Sequence, residues 1–292
     1  MAATVQSSFQ QFRSNLEITG LQSSTVSARQ TKVREVLEAG LEVLDTFLTG
    51  SYSRSTMIAP LKDADIDIFV VLDVKYYHNY NGQNGGQSGL LDLVKRTLRK
   101  TYTSTPDISR NGQAVTIRFV DFVVDVVPGF YRQDGGFLIP NSITKTWLAT
   151  DPKKHVELMG VSNKAHNGDL VPPCKMIKAW NRSHSSFFRS FHLEVLAMQI
   201  LEGVRISDFP SGARFYFDKG RALITKQNLD PAGYGGDVGS YITVEMVQEA
   251  ERRFQVSYDR AIKAEEFATR GNVSAAVDMW IKIFGDYFPV YG

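Results

Sequence analysis

The sequence predicts an α+β protein, with a mixed sheet and helices in its first half and a helical lobe in its second. Three observations carry this. Residues 65–72 read DIDIFVVL, a β-branched run that opens on alternating carboxylate and apolar positions, as a strand does. Residues 115–119 and 123–127 (VTIRF and VVDVV) read as two further strands around a tight turn at 120–122. Beyond about Asn141 the strand signal fades, and apolar residues recur at the three- and four-residue steps of helices.

Taken in order, the first periodic segment is Val33, Val36, Leu37, Leu41, Leu44, Phe47 and Leu48. That spacing predicts one helix face, with Ser23, Ser24 and Thr25 as start signals and a break at Thr49-Gly50-Ser51. The strand at 65–72 follows. Residues 76–89, rich in Tyr, Asn, Gln and Gly, predict a loop. Leu90, Leu91, Val94 and Leu98 predict a short amphipathic helix whose outer face carries Lys95, Arg96, Arg99 and Lys100; a solvated face explains that basic cluster better than a nucleic-acid contact. After the strand pair, Pro128-Gly129 predicts a stop. Helices are expected over about 153–184, 190–204, 212–225, 243–269 and 273–284, with Pro172-Pro173 starting or kinking one of them. The boundary between the halves falls near 140–150, and ligand clefts commonly form between two such halves.

Composition narrows the function. The 292 residues make one large domain or two modest ones, and 43% hydrophobic content supports a real core. A net charge of +2 argues against polybasic nucleic-acid binding, and a single cysteine excludes a disulfide framework or a cysteine zinc site. No apolar run approaches the ~18 residues a membrane span needs, and the polar first twelve residues lack a signal core, so the cytoplasm is the expected compartment. There is no phosphate-binding P-loop motif, and the five histidines lack metal-ligand spacing.

The chemistry concentrates in residues 50–72. Asp65 and Asp67, two apart on a predicted strand, point to one side. Two like charges that close repel, and a divalent cation removes the penalty; carboxylates with waters and substrate phosphates suit Mg²⁺. Upstream, Gly50-Ser51 offers close backbone approach and a hydroxyl donor for a phosphate, although structural turns use the same pair. Asp125 lies in a later strand that could bring it beside the first pair, and carboxylates on adjacent strands can hold two metals ~4 Å apart. Asp121 shares its parity but falls in the predicted turn, and Asp63 precedes the strand proper, so Asp125 and Asp65 are preferred.

This combination resembles the nucleotidyltransferase superfamily with a DNA-polymerase-β-like palm. In particular it resembles the bacterial CD-NTases of the SMODS type, relatives of cyclic GMP-AMP synthase and oligoadenylate synthase. The matching residues are Gly50-Ser51, Asp65-Ile66-Asp67-Ile68 and the run Asp125–Phe130. The resemblance implies a catalytic core over 1–145 with an N-terminal spine helix, a helical lobe over 146–292, and an active site in the cleft between them. It implies two Mg²⁺ (or Mn²⁺) ions held by Asp65, Asp67 and Asp125, with Asp125 also orienting or deprotonating the acceptor ribose hydroxyl.

In the helical half, Lys175 and Lys178 are three apart, as on one helix face before Trp180. A solvated face is the plain reading; the resemblance implies that Lys178, two before the aromatic, binds the triphosphate. Ser190-Phe191 resembles the family's Ser-aromatic motif, which implies a triphosphate hydroxyl contact and a base-stacking ring; Phe keeps the stacking face of the more usual Tyr without its hydroxyl. Ser190 also suits a helix N-cap. Asn163, His166 and Asn167 could meet a base edge, but capping chemistry is the preferred reading. Asp230-Pro231-Ala232-Gly233 is a turn, and Cys174 a packed thiol.

The implied activity is condensation of nucleoside triphosphates, with pyrophosphate release, into a cyclic di- or trinucleotide messenger for bacterial antiphage (CBASS) signalling. NTP substrates, an operon-encoded effector that reads the product and a possible regulatory protein are the implied partners, with no membrane and no strong nucleic-acid signal. The alternatives are a linear oligoadenylate or RNA 3′-end-adding nucleotidyltransferase, and a non-catalytic nucleotide-binding scaffold.

Overall fold

The structure is a computed structural model and describes residues 4–104 and 106–292. The chain forms two compact units, one made of residues up to Glu17 together with Leu158–Gly292, the other of Ile18–Glu157. The expected boundary at 145/146 therefore moves to 157/158, and the first helix leaves the sheet unit. The reasons are local. Strands expected to have ended continue to Thr150. In α1 (Val5–Asn15), Phe9 and Phe12 are fully buried, and their rings pack edge-on or tilted against Trp280, Phe284 and Phe288.

The sheet unit contains α2 (Gly20–Gly40), β1 (Val43–Thr49), α3 (Gly50–Ser53), β2 (Asp65–Leu72), α4 (Val74–Asn81), α5 (Gly86–Thr101), β3 (Asp107–Asn111), β4 (Ala114–Arg118), β5 (Val123–Tyr131), β6 (Phe137–Asn141) and β7 (Thr146–Thr150). The strand order is β1-β2-β5-β4-β3, with β6 joined to β5 and β7 to β6. The pair β2·β5 is parallel and the others antiparallel, so the sheet is mixed as expected. One face is apolar. Ile66, Ile68, Val70, Val115, Ile117, Val124 and Val126 are buried there against Val33 and Leu37 of α2 and Leu90, Leu91, Val94 and Leu98 of α5.

Several elements differ from the sequence expectation. The helix read over 33–48 is two elements. It starts at a capping box of Thr19 and Gln22 and ends at Gly40, where a Cβ would lie 2.4 Å from the Thr97 methyl. Leu44, Phe47 and Leu48 continue the three-and-four spacing by coincidence, on a strand fixed by its pairing with β2. Residues 76–89 are not a loop: Asp73 caps α4, whose Tyr76, Tyr77 and Tyr80 pack on the core. Pro128 does not stop β5. The β4 pairing ends at Val126, so the missing N–H interrupts no ladder on that side. The strands β3, β6 and β7 were not expected; β3 is a polar edge strand, DISRN.

The helical unit adds α6 (Pro152–Ala165, which spans the division), α7 (Val171–Ser183), α8 (Ser190–Leu201), α9 (Phe209–Leu223), α10 (Val244–Thr269) and α11 (Val273–Phe284). Pro172 and Pro173 sit in the first turn of α7, where a missing N–H is harmless. Trp180 anchors the interior against Phe188, Phe217 and Phe254. Among the described residues no helix is long and apolar enough to cross a membrane.

Candidate active site

The second face of the sheet carries the carboxylates. Successive side chains alternate, so burial of Ile66, Ile68, Val124 and Val126 on the apolar face turns Asp65, Asp67 and Asp125 to the other. The parallel register sets Asp67 directly opposite Asp125, and Asp65 opposite Val123. The antiparallel neighbours extend the row, with Thr49 opposite Asp67 and Thr116 opposite Asp125. Asp65 is exposed, while Asp67 and Asp125 are half-buried.

Two contacts shape the row. Gly50 has φ +66°, and a Cβ there would lie 1.7 Å from Asp67 Oδ2. Glycine is thus required for conformation and for space, because only a bare Cα lets the turn lie on that carboxylate. The Ser51 carbonyl accepts the Thr56 and Met57 N–H groups at 2.9 and 3.0 Å, folding the chain back after α3. At Asp125, the Thr116 hydroxyl donates to Oδ1 at 2.5 Å. Burial pushes the Asp125 carboxyl above the ordinary carboxylate range, opposed by that hydroxyl and by the charge of Arg118. Asp121 lies apart on the hairpin tip, ion-paired with Arg29 of α2 at 2.6 Å. Asp63 lies in a 3-10 turn ahead of β2.

Among the described residues no three His, Cys, Asp or Glu side chains converge into a ready metal cage. The donor set nevertheless fits Mg²⁺, which binds through one or two carboxylates and fills its octahedron with water and substrate phosphates. Asp65, Asp67 and Asp125 are carboxylate donors on one face of adjacent strands.

In the helical unit the geometry corrects the plain reading of a solvated helix face: Lys178 is 4% exposed, and its Nζ donates to Glu194 Oε1 at 3.0 Å. Lys175, also buried, binds both Glu17 oxygens at 2.8 and 2.7 Å. These cations are satisfied by carboxylates of α8 and of the segment after α1. Ser190 is exposed and Phe191 half-buried at the first turn of α8. Ser190 is not the N-cap. That position is Arg189, which makes no side-chain cap, and its N–H instead donates to the Tyr241 hydroxyl at 2.9 Å. The same hydroxyl pairs with His192 Nδ1 at 3.1 Å, and the Arg189 guanidinium lies over the Tyr241 ring. His192 is fully buried, which pushes its imidazole down to about 4.

The remaining polar candidates have structural partners. Asn163 Oδ1 accepts the Leu170 and Val171 N–H groups at the start of α7, so capping is its role. His166 places its two ring nitrogens on the Ser162 and Leu201 carbonyls, each at 2.7 Å, and Asn167 occupies a left-handed turn position. Asp230 folds its own loop by accepting N–H groups of Ala232, Tyr234 and Gly235. Sequence reasoning missed Thr49, Thr116 and Tyr241. Only the strand register singles out the two threonines, and nothing near Tyr241 in the chain links it to α8.

Comparisons with known proteins agree with this architecture. The Second Messenger Oligonucleotide or Dinucleotide Synthetase domain family matches residues 3–163. A cyclic AMP-AMP-AMP synthase of an Acinetobacter species is 26% identical over 98% of this chain and 86% of its own. Among solved structures, the E. coli MS115-1 CdnC with ATP aligns at a TM-score of 0.79 and 18% identity, over 99% of this chain and 100% of its own. The complex of the same CdnC with HORMA-deltaN aligns at a TM-score of 0.76 and 18% identity, over 97% of this chain and 98% of its own.

Proposed function

The chain belongs to the Second Messenger Oligonucleotide or Dinucleotide Synthetase family and is a nucleotidyltransferase of the cyclic-oligonucleotide-synthase kind, and we propose that it condenses nucleoside triphosphates into a cyclic di- or trinucleotide in a Mg²⁺- or Mn²⁺-dependent reaction. The observation that carries this is the register placing Asp67 against Asp125, with Asp65 on the same face and Gly50 lying on the Asp67 carboxylate. In each step an acceptor ribose hydroxyl attacks the α-phosphorus. The new P–O bond replaces the bond to the β-phosphate oxygen, pyrophosphate leaves, and the hydroxyl proton is lost. Asp65 and Asp67 would hold two divalent ions with Asp125, and these would supply charge neutralisation for the triphosphate and activation of the hydroxyl. Asp125 orients the acceptor hydroxyl and takes up its proton. Gly50 and Ser51 offer a backbone N–H and a hydroxyl to the triphosphate. Ser190 and Phe191 contact a nucleotide through a hydroxyl and a ring face. Lys178 holds α7 to α8 through Glu194. Catalysis on this reading is positioning and electrostatics.

The ATP-bound CdnC supports triphosphate substrates, and the cyclic AMP-AMP-AMP synthase supports a trinucleotide among the products. The CdnC–HORMA-deltaN complex supports a regulatory protein partner. A role in antiphage signalling, with an effector reading the product, completes the proposal. The test is incubation with all four NTPs and Mg²⁺ or Mn²⁺, followed by mass spectrometry. A cyclic product with pyrophosphate, abolished by Asp67→Asn and by Asp125→Asn, is expected. Linear products would move the assignment to an oligoadenylate- or end-adding enzyme, and no turnover with retained nucleotide binding to a scaffold.

A further inference from the structure

We propose that Thr116 is a positioning residue for the transfer reaction, fixing Asp125 so that a single carboxylate oxygen faces the reacting groups; this rests on the catalytic reading of Asp125 given above. The two residues are register partners on antiparallel β4 and β5. Thr116 is 1% exposed, so its hydroxyl has no bulk water to turn to, and it donates to Asp125 Oδ1. Asp125 is half-buried, and the hydroxyl that donates to it selects one rotamer out of those open to such a carboxylate. With Oδ1 occupied, Oδ2 is the oxygen left for the acceptor hydroxyl and the metal. The neighbouring Asp67 sits in a different setting, with Gly50 so close that a Cβ there would lie 1.7 Å from its Oδ2. Outer-shell partners of this kind are worth about 10–100-fold in activity or metal affinity.

The alternative is that Thr116 merely fills the sheet, and the two roles order the same variants oppositely. Valine keeps the shape and removes the hydroxyl; serine keeps the hydroxyl and removes a methyl. Thr116→Val, Thr116→Ser and Thr116→Ala are compared with Asp125→Asn in the full-length protein. Three measurements are made: steady-state turnover, thermal melting, and direct Mn²⁺ binding followed by the electron-spin resonance of the free ion. For Thr116→Val we expect kcat down about 10–100-fold, KM for NTP little changed, weaker Mn²⁺ binding, and a melting temperature at or above that of serine. Thr116→Ser should keep most of kcat and Mn²⁺ affinity despite its lower melting temperature. Wild-type turnover and Mn²⁺ binding by Thr116→Val, alongside inactive Asp125→Asn, would overturn the inference and leave the proposed function standing. A fully active Asp125→Asn would instead remove the catalytic reading on which it rests. Should Thr116→Val fail to fold, the serine–alanine pair decides: activity in serine alone supports the inference, and equal activity in both overturns it.

Discussion

A methyl group at residue 50 would lie 1.7 Å from Asp67 Oδ2 on a backbone with φ +66°. Gly50→Ala should therefore lower stability by about 1–2 kcal/mol from the left-handed conformation alone, and should abolish turnover by displacing the Asp67 carboxylate. Denaturant titration and product assay of one preparation check both parts. The buried pair Lys178–Glu194 behaves differently. Lys178→Ala leaves the buried Glu194 charge without this ion pair and should destabilise by about 3–5 kcal/mol, whereas the double change Lys178→Met/Glu194→Leu should restore most of the loss. A double variant as unstable as the single one would show that the pair is more than a structural tie. At this scale the sequence was informative about where the carboxylates lie, because strand parity groups Asp65 with Asp67 and the hairpin turn separates Asp125 from Asp121. It was uninformative about Lys178. A spacing of three names a helix face without saying whether that face is open, and here a carboxylate sixteen residues on neutralises it.

Elements with long, regular apolar spacing were legible. The helices α10 and α11 begin and end within a residue of the sequence reading, and the proline pair starts α7 as expected. Elements whose character comes from partners were not. β1 has helical spacing but pairs with β2, β3 is polar, and the β6–β7 hairpin turns on Asn141, whose side chain accepts the N–H groups of Ile143 and Thr144. The start of α8 shows the same dependence. Its cap is supplied by Tyr241, fifty-two residues away from Arg189, and not by a neighbouring Ser or Asp. Tyr241→Phe removes one oxygen and strands both the Arg189 N–H and His192 Nδ1. A loss of about 1–3 kcal/mol should follow. If Ser190 and Phe191 contact nucleotide, KM for NTP should rise with kcat little changed, and an unchanged KM would count against that contact.

At the scale of the whole molecule, the division of the chain follows its aromatic side chains more than its order in sequence. Phe9 and Phe12 carry α1 into the helical unit, and the strands run on to Thr150, which is why a boundary read from where the strand signal fades falls short. Two groups, buried His192 and half-buried Asp125, one in each unit, then respond oppositely to acid. His192, in the helical unit, is buried against Tyr241, with the charges of Asp237 and Arg189 acting on it in opposite senses. Its folded value near 4 lies below the ordinary 6.5, so the unfolded chain takes up the proton first. The contribution is complete above about pH 6.5 and is lost as pH falls toward 4. Between pH 7.5 and 5 it amounts to about 2 kcal/mol. Asp125, in the sheet unit, has a raised value, so the folded state takes up its proton first and mild acid favours folding there. Acid should accordingly weaken the helical unit selectively. A Trp147→Phe background leaves Trp180 and Trp280, both buried in the helical unit, as the fluorescent reporters. In that background the denaturant midpoint should fall between pH 7.5 and 5, and adding His192→Gln should remove most of the fall while lowering the midpoint at pH 7.5. An equal pH shift with and without His192 would place the acid-sensitive group elsewhere.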